Sequence, residues 1–91
     1  MKLVIAIVEN QHAGRAIEKL IAEGFGATRI NTAGGFLKRG NATILTGVED
    51  SQTSGAIQIL RDSCGTPENS TAGVRSTGIV FVLPVVASMK I

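Results

Sequence analysis

The sequence predicts a single α+β domain with the element order β-α-β-β-α-β, and three observations carry that prediction. Its 91 residues are too few for two cores, because splitting so short a chain leaves neither half enough apolar area to offset its backbone entropy. Two segments repeat apolar residues at helical spacing, and the segments between and around them are dense β-branched runs. Glycine punctuates the junctions.

Leu3–Val8 comes first. It is apolar on both alternating faces, with β-branched Val4, Ile5, Ile7 and Val8, as a central strand covered on both sides is. From about Gln11 to Glu23 the residues Ala13, Ala16, Ile17, Leu20 and Ile21 mark one face of an amphipathic helix, with Asn10 in the N-cap place and Gly24 in the stop position. Phe25–Ala33 and Ala42–Val48 read as an antiparallel pair joined by the glycine-bracketed Gly34–Asn41. A second helix starts near Asp50 or Ser51, places Ile57, Leu60 and Cys64 on one face, and ends at Gly65 with Pro67 beyond. Thr66–Thr77 is polar and loop-like. Gly78–Val86 closes the chain as a strand in which Pro84, lacking an N–H, marks an edge, a bulge or an end. The order is that of a ferredoxin-like split βαβ fold spanning 1–91, a four-stranded antiparallel sheet with two helices on one face.

Two helices cover one face only, yet Leu3, Ile5, Ile7 and Val4, Ala6, Val8 are both apolar sets, as are Ile79, Phe81, Leu83 and Val80, Val82, Val86. The composition agrees: 44% hydrophobic, 18% charged, mean hydropathy +0.28 is rich for a small soluble monomer. At about 25 cal/mol per Å², leaving such a face wet forgoes several kcal/mol, and self-association in a closed ring covers every copy equally. The competing arrangement folds Ala87–Ile91 over that face.

Other classes find little support. The net charge of +2 gathers on no helix or strand, so a nucleic-acid polymer is not the expected partner. With three Phe, no Tyr and no Trp, the stacking platform of an RNA-binding sheet is missing. The one cysteine, Cys64, excludes a disulfide framework and paired thiolate ligands, and fits a reducing, cytoplasmic setting. No run approaches the roughly 20 apolar residues of a membrane span, and the N-terminal apolar run reads as a strand rather than a leader. His12 lies near a helix start with a solvent-facing default, and Cys64 reads as a small core residue. Glu9, Glu49 and Asp50 close strands at what are expected to be neighbouring ends, where paired carboxylates bind a metal or move a proton; capping is the plainer role. No catalytic constellation, metal or cofactor is called for.

Function concentrates in Gly34–Asn41. A passive turn prefers polar residues, whereas Phe36 and Leu37 sit between glycines and ahead of Lys38 and Arg39. Glycine-flanked amides approach phosphate closely, an aromatic face stacks on a base, and the Asn41 amide matches both edges of adenine. The plain alternative is that Phe36 and Leu37 tuck into the core. The run Thr32-Ala33-Gly34-Gly35-Phe36-Leu37 through Gly40-Asn41 and Thr43, with Thr28, Gly47-Val48, Cys64-Gly65 and Val80–Val85, resembles the P-II-like cyclic-di-AMP receptors over nearly the whole chain.

That resemblance implies a homotrimer of ferredoxin-like subunits, a non-enzymatic signalling protein binding cyclic di-AMP in clefts between neighbours and read by a downstream protein. The family's binding positions match Thr28, Gly35, Phe36, Leu37, Asn41 and Gly47. Gly26 stands where the family commonly has an arginine, with Arg29 nearby, and Thr66–Thr77 is shorter than the family's usual loop. The alternatives are a P-II-like sensor of another nucleotide or anionic metabolite, and a ligand-free assembly module.

Overall fold

A computed structural model describes residues 1–30, 41–64 and 78–91. Its elements are β1 (Lys2–Glu9), α1 (Asn10–Ala22), β2 (Thr28–Ile30), β3 (Asn41–Val48), a 3-10 turn (Asp50–Gln52), α2 (Thr53–Ser63) and β4 (Gly78–Pro84). The strands form one antiparallel sheet in the order β2-β3-β1-β4. This is the ferredoxin-like α+β arrangement the sequence predicts. β1, the most continuous apolar run, is central, flanked along its whole length by β3 and along most of it by β4.

The core lies between the sheet and the two helices. Val4, Ala6 and Val8 of β1 and Ala42, Ile44 and Val48 of β3 meet Ala13, Ala16 and Leu20 of α1 and Ala56, Leu60 and Cys64 of α2. Leu20, Ile44, Leu60 and Val4 are its largest fully buried apolar side chains, each stabilising by about 1.5–3 kcal/mol relative to an exposed position. Ala13, Ala16 and Leu20 follow the predicted helical spacing, but Ile21 is exposed, because the buried stripe of α1 is only three small or medium side chains wide. On α2 the stripe runs through Ala56, Leu60 and Ser63, and Ile57 is half-buried at its margin.

One helix boundary and one strand boundary differ from expectation for identifiable reasons, while Gly24 is the stop the sequence predicts. Asn10 is the first residue of α1 rather than its cap, Glu9 stands before it without a side-chain cap bond, and the Asn10 amide oxygen accepts from Arg29 Nη2 at 2.9 Å. At the other end Gly24 has φ +90°, its N–H donates to Ile21 O at 3.0 Å, and the Phe25 N–H donates to Leu20 O at 2.9 Å. That is a Schellman stop with its hydrophobic latch. Phe25 therefore packs against the core, and β2 begins at Thr28 instead of Phe25. The turn into α2 opens with a capping box between Glu49 and Gln52.

β4 is the edge strand that Pro84 indicated, ending at that residue, and Val85 N–H donates to Met1 O at 3.0 Å. The helices pack mainly over β1 and β3, which leaves Val80 and Val82 on the helix side of β4 more than a third exposed. The C-terminal tail does not cover the sheet: Val86, Met89 and Ile91 are exposed at 99%, 86% and 119%. Among the described residues no helix is long and apolar enough to cross a membrane.

Candidate functional site

The strand register defines the uncovered face. Thr28 lies opposite Leu45, Leu45 opposite Ile5 and Ile5 opposite Phe81; the next row is Ile30, Thr43, Ile7 and Ile79. Gly47, Leu3 and Leu83 form a third row, and Asn41 faces Glu9 beyond the second. Because successive strand side chains alternate, these residues project away from the helices. Leu3, Ile5 and Ile7 are half-buried, and Ile79, Phe81 and Leu83 are about half exposed at 53%, 47% and 46%. The middle of the face is apolar except for Thr28 at the β2 edge and Thr43 on β3, and Gly47, Asn41 and Glu9 lie toward its two ends.

Three of the six sequence-predicted ligand residues are on this face. Thr28 is exposed, Asn41 is half-buried, and Gly47 is exposed with open space where a Cβ would stand. Gly35, Phe36 and Leu37 lie outside the described residues, as do the Gly34–Gly40 part of the predicted connection and Thr66–Thr77. Thr28 and Gly47 are diagonal neighbours, about 7–8 Å apart. Asn41 and Gly47 are six residues apart on one strand, about 20 Å at the usual rise. The chain therefore presents two separated groups, Asn41 at one end and Thr28 with Gly47 toward the other.

Arg29 does not join them. It lies opposite Ile44, on the helix side of β2, and is held by Asn10. Gly26 has open space around its Cα, and its carbonyl accepts the buried Thr46 hydroxyl at 2.5 Å. Among the described residues of the open face, Glu9 is the one formal charge.

The expectation that Glu9, Glu49 and Asp50 share a site is corrected by the register. Glu9 pairs with Asn41 at one end of the sheet, whereas Glu49 and Asp50 follow Val48, the partner of Lys2, at the other. Glu9 Oε2 accepts from Gln11 Nε2 at 2.6 Å and lies 3.6 Å from His12 Nε2. Asp50 Oδ1 lies 2.9 Å from the Met1 ammonium, whose hydrogen bond and charge hold its carboxyl below the usual range. No group of three or more metal-ligating side chains converges among the described residues. Cys64 is buried, and that burial, reinforced by Glu9, pushes its thiol pKa up, the wrong direction for a nucleophile.

One polar position was legible in the sequence only as part of a motif. Thr43 is 7% exposed, and its Oγ1 has no hydrogen-bond partner among the described residues. A lone hydroxyl in the otherwise apolar row Ile30, Ile7, Ile79 is the signal that singles it out.

A family model described as cyclic-di-AMP receptor matches residues 1–91. The chain belongs to the cyclic-di-AMP receptor family. Among solved structures, a functionally unknown protein from Pediococcus pentosaceus ATCC 25745 superposes with a TM-score of 0.79 at 31% identity, over 99% of this chain and 96% of that one. The receptor family assignment thus covers the whole sheet, including the open face and both groups of polar positions upon it.

Proposed function

We propose that the protein is a non-enzymatic signalling receptor that binds cyclic di-AMP in clefts between the subunits of a homotrimer. The observation that carries this reading is the division of the site. Asn41 and the Thr28–Gly47 pair share a face but stand too far apart to line one compact pocket on one subunit, so a cleft between copies unites groups that a single copy keeps separate. The apolar rows between them supply the drive to associate. Covering Ile79, Phe81, Leu83 and their half-buried neighbours releases on the order of several kcal/mol per subunit. Phe36 stacks on a base, the Gly35 and Leu37 amides face phosphate, and Asn41 and Thr28 hydrogen-bond the ligand; binding alters the surface a downstream protein reads.

Calorimetry with cyclic di-AMP, ATP and cyclic di-GMP tests the assignment, with heat from the first expected. A flat trace for cyclic di-AMP beside heat from another ligand rejects it, and a stable lone subunit at micromolar concentration by light scattering removes the clefts. A second reading, a P-II-like sensor of a different nucleotide or anionic metabolite, draws on the open space at Gly26 and on Arg29 being turned to the other side. The same titrations separate the two. Silence from every ligand leaves an assembly module.

A further inference from the structure

Three polar side chains are buried among the described residues: Thr43, Thr46 and Ser63. Two are satisfied. Thr46 Oγ1 donates to Gly26 O, and Ser63 Oγ donates to Ile59 O at 2.7 Å. Thr43 Oγ1 has no such partner, although valine would fill the same volume without the desolvation penalty of an orphaned hydroxyl. Its placement suggests what the hydroxyl is for. Thr43 is two residues from Asn41 on the same strand and face, and diagonal to Thr28 across β2 and β3, so it adjoins a proposed ligand position of each group. Ile30 and Ile7 flank it directly. Such surroundings disfavour a phosphate, which would lose its hydration against aliphatic walls, and suit an uncharged ring.

We infer that Thr43 is a further ligand residue, whose hydroxyl hydrogen-bonds the edge of an adenine base of cyclic di-AMP. The inference rests on the receptor reading. Oγ1 is closed to solvent in the lone chain, so engagement requires rotation about χ1 to another staggered position. Among the described residues of the lone chain the hydroxyl is unsatisfied, and ligand binding satisfies it.

The test compares wild type, Thr43→Val and Thr43→Ser by thermal melting without ligand and by calorimetry with cyclic di-AMP. Thr43→Val is expected to melt a few degrees higher, because its orphan is gone, and to bind about 3- to 10-fold more weakly, as for one neutral hydrogen bond. Thr43→Ser, which keeps the hydroxyl, is expected to bind within about 2-fold of wild type. Equal affinity for wild type and Thr43→Val overturns the assignment of Thr43 while leaving the receptor reading intact. A lower melting temperature for Thr43→Val also overturns it, since the hydroxyl then has a partner within the protein. Absence of heat from wild type overturns the receptor reading itself, and the role of Thr43 with it.

Discussion

Ile44 and Leu45 are adjacent on β3 and face opposite ways. Ile44 is fully buried against the helices, whereas Leu45 sits half-buried between Thr28 and Ile5 on the open face. The difference separates two kinds of apolar residue that composition alone merges. One set completes the subunit. The other stays partly exposed in the single chain and, on the reading proposed above, is covered by another copy.

The largest expected effect contrasts these neighbours. Ile44→Ala removes fully buried atoms and leaves a cavity, so chemical denaturation should show a loss of about 2–5 kcal/mol that is the same at every protein concentration. Leu45→Ala should cost less than about 1.5 kcal/mol in dilute solution, being half-buried, yet shift the assembly equilibrium, so that its deficit grows with protein concentration. Equal and concentration-independent losses at the two positions break the contrast.

The same contrast explains how much of the architecture was legible beforehand. Alternation and glycine punctuation carried the element order, since strands and helices bury side chains at different periods, and Pro84 marked β4 as an edge, a bulge or an end. The unbroken apolarity of β1 and β4 was informative because it exceeded what two helices can cover. What sequence pattern missed was local. Phe25 is apolar and read as strand, but it latches the stop of α1; Ile21 has helical spacing but falls beyond a narrow stripe; Asn10 has the chemistry of a cap but is already inside the helix. The carboxylates were misplaced together because only register decides which end of an antiparallel strand each one closes. In the candidate site, Thr28, Asn41 and Gly47 were readable through the motif, and their shared face follows from an even residue separation along β3 and the pairing of Thr28 with Leu45. The state of Thr43 depends on what surrounds a single oxygen, which no spacing rule conveys.

Two glycines sharpen the contrast at intermediate magnitude. Gly24 has φ +90°, a conformation that costs an L-residue about 1–2 kcal/mol, so Gly24→Ala should lower stability by that amount without changing the affinity for cyclic di-AMP. Gly47 carries no such conformational requirement, and a Cβ built there meets nothing within 4 Å. Gly47→Ala should leave stability within about 0.5 kcal/mol of wild type, whereas Gly47→Leu should fill the space on the open face and weaken cyclic di-AMP binding at least about tenfold. Melting curves and calorimetry on the same samples check both. Full binding by Gly47→Leu removes Gly47 from the proposed cleft.

The smallest effect belongs to Asp50 and the Met1 ammonium, which join the start of β1 to the turn before α2 on an exposed surface. The hydrogen bond and charge of that ammonium lead the causes lowering the Asp50 pKa, Lys2 adds to them, and desolvation opposes. A carboxyl with a depressed folded-state pKa binds protons more readily when the chain is unfolded. Its contribution is therefore complete above the unfolded value near 3.8 and disappears as pH falls through the folded one. Asp50→Asn should melt slightly below wild type at neutral pH, with the gap closing in acid and shrinking in high salt, because both charges face water. A gap that survives acid assigns the role of Asp50 to hydrogen bonding or packing instead of charge, and places this corner of the sheet with the finished face that Ile44 represents.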